Sequence, residues 1–328
     1  MAGEGEFDFI ARRLAPLTSD HPGAYGLKDD GAILAPPDGC AFAVTSDTLV
    51  EGVHFPTGED PFRAGWKALA ANVSDLTAMG ATPGPYLLNI VWPKAGFAGR
   101  VDRFVDGLAQ AQKAFAMTLV GGDTTSADGP WTLSITAFGV VKAGRTPRRG
   151  GAKPGDFLLV SNRIGDAYLG LQQHLGRAIF SDSSLSQHVD QKFAAPTPPV
   201  VLASILQDYA SAAIDVSDGL LGDINHILQA SGLSTHIDLG DLPLSEAGRD
   251  WVARQDNEPA ARLALATGGD DYEIVACVPQ ESVAQFSAAC AQAGQGVTVL
   301  ARLEPGTGLR VTFRGKAMDA DILGFTHF

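Results

Sequence analysis

At 328 residues the chain is too long for one typical core, and at roughly 100–200 residues per domain two domains are expected. Hydrophobic residues at 45% and charged residues at 19% are the proportions of a soluble globular protein with a large core, not of a disordered or coiled-coil chain. With 24 Lys and Arg against 37 Asp and Glu, the net charge of -13 excludes broad contact with nucleic acid or an anionic membrane and leaves partners that are small or metal-bridged.

The start, MAGEGEFDFI, is acidic where a secretory signal is basic, and no apolar run reaches the ~18 residues of a membrane span, so a cytoplasmic protein is expected. Residues 41–46 (AFAVTS) read as a short buried strand opening onto Asp47, which places Asp47 at a strand end. Asp60-Pro61 supplies a cap and a first-turn proline. Phe62, Trp66, Leu69, Val73 and Leu76 then recur at helical spacing up to Gly80, with Asp75 on the last turn. A strand over 86–92, a helix over 97–115 and a strand over 117–120 follow, the last delivered into Gly121-Gly122-Asp123. Trp131, Leu133, Ile135, Ala137 and Gly139 alternate with mostly polar neighbours, the period of a half-buried strand.

The segment 144–156 (GRTPRRGGAKPGD), rich in Gly, Pro and basic residues, separates two patterned regions, and a boundary between domains 1–148 and 149–328 is placed there. Beyond it come a strand over 157–161, a helix from Asp166 and a polar stretch, 181–199, ending in prolines. Residues 212–216 are strand-like, and Ser217 is expected to cap a helix carrying Leu220, Leu221, Ile224, Ile227 and Leu228, closed by Gly232. Thr267-Gly268-Gly269-Asp270-Asp271 precedes a strand over 272–278, and strands near 297–303 and 309–313 complete an α/β (α+β) pattern. Cys40, Cys277 and Cys290 form no CxxC pair and leave an odd count, which indicates neither a disulfide framework nor a zinc site.

Asp29, Asp30, Asp47, Asp75, Asp123, Asp215 and Asp218 are all expected at strand ends, helix ends or turns, where Asp is common for purely local reasons. If several converge, they cannot all stay ionised without a cation, because like charges in contact push one pKa strongly upward. Oxygen-only ligands favour Mg²⁺ or Ca²⁺ over zinc, and Mg²⁺ is typically completed by water and substrate phosphates, which points to phosphoryl transfer. Thr45 and Ser46 would add oxygens beside Asp47. The glycine pairs at 121–122, 150–151 and 268–269 permit close approach of backbone N–H groups to anions, but a glycine pair alone is usually a turn. No GxxxxGK[ST] loop, no GxGxxG after a strand and no HRD and DFG pair is present, so an ATP site would be of another kind. Arg149 offers a planar guanidinium to phosphate, against the plainer reading of an exposed interdomain arginine. A non-catalytic protein binding a divalent metal stays open, although the EF-hand loop is absent.

Nine segments, in order, carry a resemblance to a known family: GEFDFI (5–10), KDDGAIL (28–34), TSDTLVEGVHF (45–55), KALAANVSDLTAMGATP (67–83), GGDTT (121–125), RGGAKPGD (149–156), AIDVSDGLLGDINHI (213–227), TGGDDYEI (267–274) and GFTHF (324–328). Together they resemble the thiamine-monophosphate kinase family across nearly the whole chain. The resemblance implies a two-domain fold shared with aminoimidazole ribonucleotide synthetase and selenophosphate synthetase, dimerised through strands of the N-terminal domain. It also implies magnesium-dependent transfer of the terminal phosphate of ATP to thiamine monophosphate.

By motif position the resemblance makes Asp30, Thr45, Ser46, Asp47, Asp75, Asp123, Asp215 and Asp218 ligands of two or more Mg²⁺ ions, with Asp29 a weaker candidate. Gly122, Asp123, Arg149 and Ser217 match nucleotide contacts, and Asp123, Asp218 and Arg149 the catalytic centre. His54, Asp270 and Phe325 match the thiamine side; on residues alone His54 is more often a surface or core histidine. Three departures stand out: Phe115 where the family often has an adenine-stacking Tyr, Lys28 for Gly, and Asp270 for Glu. The nearest alternative is another ATP-dependent synthetase of the same superfamily. Against a selenophosphate synthetase, which usually presents a reactive Cys near its N-terminus, Cys40 falls in a strand-like run.

Overall fold

The computed structural model describes residues 6–94, 99–318 and 323–324. They form two compact units, one built from the chain up to Leu76 with Ala81–Ala143, the other from Thr77–Gly80 with the chain from Gly144 onward. Among the described residues no helix is long and apolar enough to cross a membrane.

In the first unit α1 (Glu6–Phe9) leads through short irregular turns to β1 (Cys40–Val50), α2 (Pro61–Ala78), β2 (Thr82–Pro93), α3 (Val101–Phe115), β3 (Thr118–Ala127) and β4 (Thr132–Lys142). The strands form one sheet in the order β1-β4-β2-β3, antiparallel except for the parallel pair β2–β3. Along β4 buried and half-buried residues alternate, with Leu133, Ile135, Ala137 and Val141 turned inward, so one face of the sheet is covered. Asp60 caps α2 as expected, its carboxylate accepting the Phe62 N–H at 3.1 Å. Helices α2 and α3 meet backbone to backbone: a Cβ at Gly107 would lie 2.1 Å from the Phe62 carbonyl oxygen, and one at Gly65 would lie 2.7 Å from that of Phe104. Beneath them Trp92 stacks on Trp131, with centroids 5.3 Å apart and planes at 15°, and Phe104 from α3 packs edge-on to both. Truncating any of these rings would cost about 3–5 kcal/mol.

The second unit contains β5 (Phe157–Ser161), α4 (Asp166–His174), α5 (Ser183–Ala194), α6 (Leu202–Tyr209), β6 (Ala212–Asp215), α7 (Leu220–Ser231), β7 (Leu233–Asp238), α8 (Glu246–Ala253), α9 (Glu258–Thr267), β8 (Ile274–Val278), α10 (Val283–Gln292), β9 (Val297–Arg302), β10 (Glu304–Pro305), β11 (Gly308–Phe313) and β12 (Lys316–Ala317). One antiparallel sheet runs β6-β8-β5-β9, and a second, mixed sheet runs β10-β7-β11-β12 with β7 and β11 parallel. Strand β8 is buried along its whole length because apolar clusters cover both of its faces, one of them filled by Leu220, Leu221, Ile224, Ile227 and Leu228 of α7.

The structure corrects four local expectations. Strands β1 and β3 do not stop at Asp47 and Gly121 but run on to Val50 and Ala127, because each has a neighbour, β4 or β2, to pair with over the added length. Asp47 and Asp123 therefore stand within strands, not at their ends. The polar stretch 181–199 contains α5, capped by Asp182 and buried along Val189 and Phe193, four residues apart. Ser217 does not cap α7; Gly219 holds that position, at φ +124°.

Candidate active site

In the first unit a cavity of about 600 Å³ has apolar walls at Leu14, Leu87 and Leu119 and acidic walls at Asp29, Asp30 and Asp123. Lys28 also lines it, as do Gly121 and Gly122. Asp30 lies in the bend before β1 and Asp123 on β3, both exposed. Strand β3 reaches Asp123 by way of Gly122, whose φ of +146° is closed to other residues and whose Cβ would lie 1.9 Å from the Leu88 carbonyl oxygen. The register of β2 against β3 shifts next to it, between Tyr86 and Leu87.

Cross-strand register sorts the remaining candidates. Asp123 stands in one row with Asn89, Ser134 and Thr48. Asp47 stands in the next row with Ile135 and Leu88, both buried, and Thr45 pairs with buried Ala137. Side chains alternate along a strand, so Thr45 and Asp47 share the covered face while Ser46 and Asp123 take the other. On the covered face the Thr45 hydroxyl donates a hydrogen bond to the carboxylate of Asp75, on the last turn of α2. On the other, the Ser46 hydroxyl lies 2.9 Å from that of Thr136.

His54 closes the turn after β1: its Nδ1 accepts the Val50 N–H at 3.0 Å, which leaves the ring proton on Nε2 in the neutral form. Phe115 is 3% exposed and packs edge-on to Trp66, centroids 5.4 Å apart. With Phe104, Leu108 and Ala111 it completes the inward stripe of α3, which is why it does not line the cavity.

In the second unit the turn after β6 is sewn to the loop before β8. The N–H of Val216 donates to the Glu273 carbonyl at 2.7 Å, that of Tyr272 to Val216 at 2.8 Å, and that of Asp270 to Ser217 at 2.8 Å. Asp270 and Tyr272 adopt φ of +70° and +50°, and the Tyr272 hydroxyl donates to the Asp270 carboxylate at 3.0 Å. Such conformations cost about 1–3 kcal/mol each and persist where the surroundings over-determine them. Here the anchors are two buried carboxylates. Asp271 accepts the N–H groups of Gly165 at 2.7 Å and Ala167 at 3.2 Å, and Glu273 accepts from the Ser161 hydroxyl at 2.5 Å and the Asn162 amide at 2.9 Å. Burial pushes both carboxyls above their ordinary range.

Asp215 ends β6 at 3% exposure, and the carbonyl of Asp218 faces Gly324, where a Cβ would lie 2.8 Å away. Phe325, expected on the thiamine side, lies outside the described residues. Arg149 is exposed in a short turn whose carbonyl accepts the Ser231 hydroxyl at 2.9 Å.

Two family models divide the chain between them: the N-terminal domain of AIR synthase related protein matches residues 28–141, and its C-terminal domain matches residues 153–314. A thiamine-monophosphate kinase of Caulobacter vibrioides is 39% identical over 322 residues, covering 98% of this chain and 90% of that protein. The chain belongs to the thiamine-monophosphate kinase family. The crystal structure of the family member from Stenotrophomonas maltophilia K279a superposes with a TM-score of 0.82 at 35% identity, covering 96% of this chain and 98% of the other. A second member, AaThiL complexed with AMPPCP and TMP, gives a TM-score of 0.77 at 29% identity, covering 100% of this chain and 98% of the other. The two-domain α/β fold of the AIR synthase type is the one observed.

Set against the family motif, the structure brings Asp30, Gly122 and Asp123 to one cavity, joins Thr45 to Asp75, and gathers Ser217 and Asp270 at one junction next to Asp215 and Asp218. Within the first unit the expected cluster is not formed, because Thr45 and Asp47 take the covered face of the sheet and Asp123 the other, and among the described residues no group of three or more His, Cys, Asp or Glu side chains could hold a metal ion. The donors are hydroxyl and carboxylate oxygens only, the chemistry of a hard divalent ion. They fit magnesium in kind.

One residue of the motif escaped the sequence reading. Asp223, in the first turn of α7 and 2% exposed, accepts the N–H groups of Ser217, Asp218 and Gly219. Burial and the nearby Asp218 charge push its carboxyl up to about 7. Its only sequence signal is an acid in the first turn of a helix that follows Ser-Asp-Gly.

Proposed function

We propose that this protein transfers the terminal phosphate of ATP to thiamine monophosphate, giving thiamine diphosphate, with Mg²⁺. The observation that carries the reading is the first unit's cavity, where a glycine pair stripped of side chains stands beside Asp30 and Asp123. Such a wall admits a phosphate chain close to the backbone and gives its cation carboxylates to bind. The related AaThiL structure holds AMPPCP and TMP, a pairing that supports it.

The acceptor is a phosphate monoester with a second pKa of about 6, so its attacking oxygen is largely ionised at neutral pH and no general base is needed. Catalysis then reduces to holding two anions in line while charge on the transferring group is neutralised. Asp30, Asp123, Thr45, Ser46, Asp47 and Asp75 in the first unit, and Asp215 and Asp218 in the second, would hold magnesium. When bound, it neutralises charge on the phosphate oxygens. Gly122, Ser217 and Arg149 serve the nucleotide, and His54, Asp270 and Phe325 the thiamine moiety. Phe115 acts from within the core, by supporting α3.

The protein is a cytoplasmic homodimer in this reading, joined through the uncovered face of β1, where Val44 is 57% exposed. Product analysis by mass spectrometry, with ATP, Mg²⁺ and thiamine monophosphate, tests the activity. Thiamine diphosphate should form, stop forming with EDTA, and not be replaced by products from free thiamine or an aminoimidazole precursor. Folded protein that makes no thiamine diphosphate refutes the reading.

A further inference from the structure

Asp223 holds the Ser217–Gly219 turn from the helix side. Its Oδ2 accepts three successive backbone N–H groups, those of Ser217, Asp218 and Gly219, each at 3.2 Å. Its own N–H returns a bond to the Gly219 carbonyl at 3.0 Å. Successive amides converging on one point form an anion-binding nest. Here the acceptor belongs to the chain, so the nest fixes the shape of the turn instead of receiving a phosphate. The opposite side of the turn is fixed by backbone: a Cβ at Gly269 would lie 2.4 Å from the Ser217 carbonyl oxygen, and one at Gly219 would lie 2.6 Å from that of Thr267.

We propose that Asp223 is a positioning residue of the phosphoryl-transfer site, setting the direction in which Asp218 presents its carboxylate to a divalent cation. The inference rests on the function proposed above. Asp223 acts through Asp218, so its removal matters only while Asp218 is present. Groups that orient metal ligands in this way are typically worth 10–100-fold in metal affinity, and they couple non-additively to the ligand they orient.

The test compares Asp223→Ala, Asp223→Asn, Asp218→Asn and the double variant D218N/D223A. The readouts are Mn²⁺ binding by electron paramagnetic resonance without substrate, and kcat with the Mg²⁺ half-saturation. D223A should weaken Mn²⁺ binding at least about tenfold. D223N, which keeps an acceptor oxygen, should weaken it less, and D223A should add no loss to D218N. Wild-type Mn²⁺ affinity in D223A, or losses that add in the double variant, overturns the proposal. If D223A does not fold, D223N decides, and unchanged Mn²⁺ binding in it counts as refutation. Failure of the kinase reading looks different: the Mn²⁺ pattern would hold while the wild type forms no thiamine diphosphate.

Discussion

Replacing Gly122 by Ala attacks the site through its backbone. The added Cβ would lie 1.9 Å from the Leu88 carbonyl oxygen, whereas ordinary contact begins at 3.4 Å, so β3 must move away from β2 by about 1.5 Å at that point. Holding an alanine at φ +146° costs about 1–3 kcal/mol. Losing two ladder hydrogen bonds to the displacement costs about 1 kcal/mol each. The first unit should therefore lose about 3–5 kcal/mol, read as a lower urea midpoint of tryptophan fluorescence, and turnover should fall with it because Asp123 moves too. Gly121→Ala is the control, since its Cβ would meet only the end of the Leu87 side chain, at 3.0 Å, and its φ is not positive. If Gly122→Ala unfolds at the wild-type midpoint, or no earlier than Gly121→Ala, the claim that this close approach positions Asp123 is wrong.

Asp123→Asn, at an exposed position, should cut kcat by about 100-fold or more while the thermal midpoint stays put; an active variant would remove Asp123 from the transfer step. Tyr86→Phe deletes the buried hydroxyl that donates to Gln112 at 2.7 Å and leaves an acceptor unsatisfied, so denaturant titration should show a loss of about 1–3 kcal/mol. Asp238 is partly raised by burial, but the amides of Gly315, Gly240 and Arg314 and the Thr312 hydroxyl pull its carboxyl far below the ordinary range. The folded value lies below the unfolded one, so this stabilisation is complete above about pH 4 and is lost as pH falls further. Wild type and Asp238→Asn should then differ most in stability near pH 7, with the gap narrowing as pH falls below about 4; a gap that does not narrow between about pH 5 and about pH 2 contradicts the assignment.

What could be foreseen was local. The Asp60-Pro61 cap, β5, the start of α4 at Asp166 and the glycine closing α7 each depend on neighbours within one turn or one strand, and each was expected where it stands. The ends of β1 and β3 were missed because a strand's length is decided by its partner: nothing in Thr48-Leu49-Val50 or Thr124-Thr125-Ser126 announces that β4 and β2 lie alongside. The same holds at the site. Asp218 could be named from its motif, but the face that Asp47 shares with Thr45, away from Asp123, follows from register, which a single chain of letters does not contain. Asp223 was overlooked for a related reason, since an acid in the first turn of a helix is ordinary until three amides are found folded back onto it.

The tryptophan pair in the first unit gives the two halves of the chain different optical signatures. Of four tryptophans, Trp66, Trp92 and Trp131 fall in the first unit and Trp251 in the second. Two indoles stacked 5.3 Å apart couple their transitions, so melting of the first unit should erase a distinctive near-ultraviolet dichroism band to which the lone indole of the second contributes nothing.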